Sequence, residues 1–402
     1  MRYLALLLPV ILAFVSACLL DSASNAETFS NQNNAQSPQT NLEITPLPTA
    51  SPQPASGAVG PWSFPDGVNP LTGLPVDDPA QLQRLPIIAK ISNAPPLVRP
   101  QAGIGAADIV FEHYAEGGLT RFSAVFYGQA PRRIGSIRSA RLIDHEIVPM
   151  FDGILVFSGA SIGVEKFIYG SEDVEERIPG ADQVAPARHI PPSEYADRAY
   201  KGILYGPPYY WRDEDIVLPH NLFASPAAIW ELAASEGHAR TPDLQGLAFH
   251  EQPPHAADGP AEVIDLRYRG TRIRWVYNAE LGLYRRFADG QVHADSNTGQ
   301  QITAANIVVM SAEHTDTYIV ESVWENSVTL STQIAVWGQN EVILFRDGQR
   351  YDGYWTRTIR EHIISLRTPD GELLYLKPGN TWFQVIRNAE QQNPVEEWLI
   401  VE

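Results

Sequence analysis

The 402-residue chain carries 29 basic and 47 acidic side chains, a formal charge of −18, and is 44% hydrophobic. That apolar share excludes wholesale disorder, and at roughly 150 residues per domain the length suits two or three domains. The negative field argues against nonspecific nucleic-acid binding, which depends on Lys and Arg neutralising phosphates, and 32 prolines with 29 glycines exclude a coiled coil or helical bundle.

The chain opens Met1-Arg2-Tyr3, then runs apolar from Leu4 to Val15, broken only by Pro9, and reaches Ser16-Ala17-Cys18. This run is too short to cross the roughly 30 Å hydrocarbon layer comfortably, and small residues at its end suit a peptidase. Residues 1–17 therefore read as a signal peptide. Val15-Ser16-Ala17-Cys18 resembles a bacterial lipobox, which implies cleavage before Cys18 and diacylglycerol on its sulfur. The implied partner is the lipid bilayer and the implied location is the extracytoplasmic face of a bacterial cell membrane. An ordinary secretory signal or an uncleaved anchor is the alternative. Cys18 is the one cysteine, so an intrachain disulfide and a Cys-rich zinc site both drop out. Residues 18–61 hold Asp21, Glu27 and Glu43, no basic residue, and much Ser, Asn, Gln, Thr, Ala and Pro. Such a stretch cannot offset its ordering entropy and is expected to be a disordered tether.

From 62 to 250 the pattern mixes strands with helices. Pro86 to Ser92, Ala107 to Tyr114, Leu119 to Tyr127 and Asp152 to Ser158 are apolar or alternating runs bounded by Gly, Pro or Asn, which predicts strands. Ser225-Pro226 followed by Ala227 to Glu236 and Gly237 predicts a helix with a serine cap, a first-turn proline and a closing glycine. An α/β or α+β domain with a mixed sheet is expected here. Residues 249–260, with Pro253-Pro254 and Asp258-Gly259, read as a linker between separable parts. Over 260–388, Asp289-Gly290, Asp347-Gly348 and Asp370-Gly371 mark hairpin turns between strands that include Val342 to Arg346 and Leu373 to Lys377. A smaller all-β C-terminal domain is expected, followed by a tail over 389–402.

Several motifs stand out in order along the chain. They are Asn69-Pro70-Leu71-Thr72-Gly73-Leu74-Pro75, Arg99-Pro100-Gln101-Ala102-Gly103, Ala107-Asp108-Ile109-Val110-Phe111-Glu112 and Glu116-Gly117-Gly118-Leu119-Thr120-Arg121-Phe122. Others are Ile134-Gly135-Ser136-Ile137-Arg138-Ser139-Ala140-Arg141, Ser158-Gly159-Ala160-Ser161, Pro219-His220-Asn221-Leu222 and Leu376-Lys377-Pro378-Gly379-Asn380-Thr381-Trp382. Together these motifs resemble the YerB-like bacterial lipoproteins over nearly all of the chain beyond the tether, and the resemblance implies a mixed domain, a smaller β domain and a lipidated N-terminus, without an assigned activity. The segment Asp215-Ile216-Val217-Leu218 departs from the family pattern, where a basic residue is usual.

The densest chemical signal is Arg132, Arg133, Arg138 and Arg141 within ten residues, downstream of Asp108, Glu112, Glu116 and Arg121. Guanidinium forks bind carboxylate or phosphate and stay charged at any working pH, so an anionic or glycan envelope ligand is one reading. The other is structural pairing of Arg138 or Arg141 with Glu112 or Asp144. An acidic residue on one strand, arginines closing a later one and a Gly-Ala-Ser turn also loosely resemble the LytR-CpsA-Psr transferases, which would make the protein an envelope enzyme of phosphoryl or glycosyl-polymer transfer. Gly159-Ala160-Ser161-Ile162-Gly163 fits the nucleophile-elbow pattern, with His189 and His220 as bases and Asp182, Asp213 and Asp215 as orienters. The candidate ligand set is therefore Asp108, Glu112, Arg121, Arg138, Arg141, Ser161 and His220. Asp213-Glu214-Asp215 and His293-Ala294-Asp295 read as solvated turns, so no metal or cofactor is expected. Tyr205, Tyr209, Tyr210 and Trp211 suit packing or a sugar-stacking shelf. A binding or scaffold lipoprotein is favoured over an enzyme.

Changing Cys18 to Ala should release the folded part from the membrane. Fractionation checks this: retention of the variant in the membrane fraction at the parent's level, with the signal segment intact, would contradict the anchor.

Overall fold

The computed structural model describes residues 53–171, 176–177, 184–185, 189–325 and 327–402. The signal peptide, Cys18 and most of the tether lie outside them. The runs Ile87–Ser92 (β1), Ile109–Tyr114 (β2), Thr120–Phe126 (β3) and Ile154–Phe157 (β5) are strands as expected, and a two-residue strand, Ile134–Gly135 (β4), lies between β3 and β5. β1, β2 and β5 are buried at every position, as strands covered on both faces must be.

β1 pairs antiparallel with β3 and parallel with β5; β3 pairs antiparallel with β2. On its other edge β2 pairs parallel with Thr381–Arg387, which in turn pairs parallel with Asn306–Ala312. Gly338–Arg346 and Gln349–Arg357 continue outward, giving a mixed sheet of 11 strands among the described residues. Strands from both ends of the chain therefore build one sheet. A second, wholly antiparallel sheet joins Val263–Tyr268, Thr271–Asn278, Leu283–Ala288 and Trp398–Val401. The hairpin of His314–Trp324 and Ser327–Ile334 forms a separate two-stranded arm.

Three α-helices occur among the described residues: Asp144–Met150 (α1), Ile162–Tyr169 (α2) and Pro226–Ser235 (α3). In α3 the Ser225 hydroxyl accepts from the Ala228 amide at 3.3 Å, with Pro226 first and Gly237 beyond the end at φ 89°. Each feature follows the capping chemistry read from sequence. Asp289-Gly290 and Asp347-Gly348 adopt left-handed φ at all four positions, the geometry a two-residue hairpin turn requires. From Gly259 onward the α-helices stop and strands take over.

Four expectations are corrected. The 249–260 linker does not separate two bodies, because the sheet crosses it: Phe249 is buried and bridges Val59 and Leu376, and Gly259–Pro260 pairs with Gln349 and Arg350. The end of the tether is docked, with Val59 on Phe249 and the Ala55 amide donating to the Tyr375 hydroxyl at 2.7 Å. The 389–402 tail contains a strand, since Trp398–Val401 pairs with Ile264 to Arg267. Leu373 to Lys377 makes only single bridges, to Arg367 and Phe249, and is no regular strand.

The two sheets are tied by a buried charge pair. Arg286 of the second sheet donates to Glu112 of β2 at 2.7 Å, and both side chains are fully buried. Removing one member strands the other in low dielectric, so Arg286→Met should cost about 3 to 5 kcal/mol of folding stability. The double variant Glu112→Gln/Arg286→Met should recover part of that loss. Denaturant unfolding of the three proteins checks both statements, and equal stability of parent and single variant would contradict them.

Candidate functional site

Strand register sorts the candidate residues before any side chain is considered. Lys90, Ser123 and Phe111 are cross-strand partners, as are Ser92, Arg121 and His113, so all lie on one face of the mixed sheet. Glu112 stands opposite Phe122 on the other face. There its carboxylate accepts from Asn93 and the Thr120 hydroxyl, both at 2.9 Å, as well as from Arg286. Asp108 precedes β2 at the far end of the sheet, five residues from His113, or about 17 Å along a strand. It accepts from Asn69 at 2.9 Å and from the Tyr127 and Gly128 amides at 2.6 and 3.0 Å. Asp108 and Glu112 are thus structural clamps, and neither reaches the arginines. The LytR-CpsA-Psr analogy loses its acidic member for that reason.

The remaining candidates do come together. Beyond the pairing of β1 with β5, the backbone of Ser136 to Arg138 takes over the β1 edge: Ser136 O accepts from Ser92 N and Arg138 N donates to Lys90 O. Arg138 O accepts from Ser158 N, and Gly159 O from Ala140 N, so the Gly159-Ala160-Ser161 loop runs alongside. Ile137 N donates to Leu222 O, which brings up the His220 segment. These segments meet beyond the carboxyl end of the parallel β1 and β5 strands, the end at which open mixed sheets commonly hold ligands.

The arginines there are not equivalent. Arg141 is ion-paired through Nε to Glu116 and through Nη2 to Glu321 of the hairpin arm, the latter at 2.9 Å. Asp144 takes the Arg141 backbone amide at 2.7 Å and pairs with buried Lys90 at 3.0 Å. The expected pairing of Arg141 with Glu112 or Asp144 side chains is therefore corrected to Glu116 and Glu321. Arg121 donates to Ser139 O at 2.8 Å, and Arg138 has a buried Nε without an acceptor. Neither has a carboxylate in ion-pair range among the described residues. Burial lowers the pKa of both, with repulsion from Arg141 next. His220 lies close enough to Arg138 that its own pKa is lowered, by burial first and then by that charge. Ser161 Oγ and His220 Nδ1 are likewise buried without partners.

Other patterns resolve into structure. Ser161 begins α2 after β5, the context an elbow needs, yet its hydroxyl meets no base among the described residues. Asp182 lies outside those residues, and Asp213 is held by Arg133 at 2.9 Å. Asp295 accepts from the amides of Gly103, Gly105 and Asn297 at 3.1, 2.8 and 2.7 Å, which makes it a loop clamp. Tyr205 packs edge-on against Tyr200 and Tyr209. Glu321 and the Lys90, His113, Ser123 and Asp144 network were not legible in sequence, because an isolated acid on a polar hairpin and a lysine inside an apolar strand carry no spacing signal.

Residues 71–239 match the family described as protein of unknown function (DUF3048) N-terminal domain, and residues 264–383 match the DUF3048 C-terminal domain. The chain belongs to the DUF3048 family. It is 26% identical over 324 residues to "Putative lipoprotein YerB" of Bacillus subtilis (strain 168), covering 80% of this chain and 86% of that one. The crystal structure of the YerB protein from Bacillus subtilis superimposes with a TM-score of 0.63 at 23% identity, over 83% of this chain and 99% of that chain, a likeness of fold. Both DUF3048 domains are thus present, and the mixed sheet is built from strands of each.

Buried histidines give this DUF3048 protein a pH signature. Burial holds His113 and His293 well below 6.5 and brings His314 down to about 4. Each takes up a proton near 6.5 when unfolded but not when folded, so stability present above pH 6.5 is lost as pH falls toward 4. Asp108 works in the opposite sense: burial raises its carboxyl to about 6, so it protonates first in the folded state. Three groups outweigh one, and Tm should fall between pH 6.5 and 4.5. Replacing His314 with Phe should remove about 3 kcal/mol of that acid loss by pH 4. Identical pH profiles of Tm for parent and variant would contradict the assignment.

Proposed function

We propose that this DUF3048 protein is a lipid-anchored protein of the extracytoplasmic face of a bacterial cell membrane that binds an anionic group of an envelope molecule between Arg121 and Arg138. One observation carries the reading. Three neighbouring guanidinium groups share Glu116 and Glu321, and Arg141 ion-pairs with both, so the two acids act on Arg121 only from a distance and Arg138 has no ion pair among the described residues. A half-buried guanidinium without an ion pair is short of charged acceptors, so an incoming phosphate or carboxylate supplies what is missing. Arg138 Nε, Ser161 Oγ and His220 Nδ1 are buried in the same region without hydrogen-bond partners, as unfilled polar positions would be. Arg121 and Arg138 flank β1 two strand spacings apart and two residues out of step, about 12 Å between backbones, a span that two long side chains can close on one anion. The lipobox at Cys18 and the lipoprotein name of the Bacillus subtilis relative support the location.

The two arginines predict opposite phenotypes. Arg141→Ala strands Glu116 and Glu321, each about 8% exposed, and should cost about 3 to 5 kcal/mol of stability. Arg138→Ala should leave the melting temperature near the parent's but abolish most of the stabilisation by phosphate, pyrophosphate or an acidic glycan. A charged hydrogen bond contributes about 1.5 to 3 kcal/mol, or roughly 10- to 100-fold in Kd. If no such anion raises the melting temperature of the parent, the protein acts as an envelope scaffold instead.

A further inference from the structure

The run Arg267-Tyr268-Arg269-Gly270-Thr271-Arg272-Ile273-Arg274-Trp275 places four of the chain's 29 basic residues within eight positions. It forms the hairpin of Val263–Tyr268 and Thr271–Asn278 in the antiparallel sheet. Alternation sends Tyr268, Ile273 and Trp275 into the core and leaves Arg267, Arg272 and Arg274 exposed. Arg267 and Arg272 are direct cross-strand partners, and like charges so placed repel.

Nearby acids do not cancel that repulsion. Arg274 holds Asp265 with two hydrogen bonds, at 2.9 and 2.5 Å, leaving Arg272 at 4.0 Å from it. Asp289, next to Arg272 across the following strand, is engaged by Arg99 at 2.5 Å. Arg269 reaches Glu396 at 3.4 Å, while Arg267 has no ion pair among the described residues. These four arginines and the two paired acids, Asp265 and Asp289, line an open cleft of about 740 Å³ together with Phe287 and Trp398. Trp398 is the register partner of Arg267 on the other side, and the Arg272 guanidinium lies 5.3 Å above its ring.

We propose that this cleft is a second binding site, separate from the Arg121–Arg138 cluster, and that it takes a linear phosphate polymer. Forks on neighbouring strands recur about every 4.8 Å across the sheet and about every 6.8 Å along a strand, so they meet a chain that carries an anion at each repeat. The half-buried rings of Phe287 and Trp398 give the linking units an apolar floor. A bilayer surface fits less well, since flat headgroups touch the rims of a cleft and leave its floor empty. The net charge of −18 does not forbid the site, because at physiological salt a field decays within about 8 Å and the local arginines set it.

The test titrates the full-length chain with long-chain polyphosphate at several salt concentrations. Each phosphate neutralised steepens the fall of log affinity with log salt by nearly one, so Arg267→Ala/Arg272→Ala should reduce that slope by about two and weaken binding at low salt by at least tenfold. Its melting temperature should equal or exceed the parent's, because a repelling pair is removed. Arg240→Ala, at an exposed arginine outside both sites, should leave polyphosphate binding intact. Equal binding by the double variant and the parent overturns the proposal, as does a loss in Arg240→Ala as large as in the double variant. Binding to phosphatidylglycerol vesicles without binding to soluble polyphosphate also overturns it, in favour of a membrane-facing surface.

Discussion

A guanidinium and a carboxylate taken out of water cost several kcal/mol each unless they meet, and Arg286 and Glu112 meet with both side chains fully buried. The pair is 174 residues apart in sequence, one member on each side of the 240–263 junction between the family domains. Arg286 is held further by an Nε hydrogen bond to His293 at 2.9 Å and by the rings of Phe122, Trp275 and Trp382, 4.5 to 5.6 Å away. His293 in turn contacts Gln101 at 2.5 Å. A slip of one residue in β2 would turn Glu112 to the opposite face and leave Arg286 with no carboxylate, so the pair fixes the register of the mixed sheet. It also fixes where the second sheet docks.

That choice of face has a consequence for the arginine cluster. Because Glu112 is committed to one side of the sheet, it cannot neutralise Arg121 or Arg138 on the other. On their side, Lys90 and Asp144 cancel each other at 3.0 Å, with Lys90 also contacting Ser123 and His113 at 2.8 and 2.7 Å. Burial lowers the Lys90 pKa to about 8, and the Asp144 charge is what opposes that shift most. The Lys90–Asp144 network is therefore self-contained and lends no spare carboxylate to Arg121 or Arg138. The hairpin arm supplies Glu321, but Arg141 binds it. Arg121 and Arg138 stay without ion pairs in an acidic protein because every nearby acid among the described residues is already committed.

The parts legible in sequence were those with local causes. Strand positions followed from apolar runs in β1, β2, β3 and β5, the α3 boundaries from Ser225, Pro226 and Gly237, and two hairpins from Asp-Gly pairs. Arg121, Arg138, Arg141, Ser161 and His220 were singled out by residue type, and the structure brings their segments together. What sequence could not give was partner choice. Glu116 and Glu321 reach Arg141 from 25 and 180 positions away, and no periodicity encodes a pairing made by tertiary register. The strand Trp398–Val401 read as a tail because its Pro394, Glu396 and Glu397 neighbours look like loop, yet docking on Ile264 to Arg267 makes it a sheet edge. The shared sheet was hidden for the same reason: a linker rich in proline marks a break in local structure, not in hydrogen bonding between distant strands.

Net charge was also a poor guide to local chemistry. A total of −18 spread over the molecule acts on a ligand only within a screening length, whereas alternation in a strand concentrates charge on one face at spacings well below it. In the Val263–Tyr268 and Thr271–Asn278 hairpin the same alternation that buries Tyr268, Ile273 and Trp275 forces the intervening arginines outward and beside one another. In the mixed sheet it places Arg121 and Arg138 on the face away from Glu112. Each positive site is thus set by the period of a β-strand and by where the neighbouring acids are already committed. An acidic chain can therefore carry two such surfaces without contradiction.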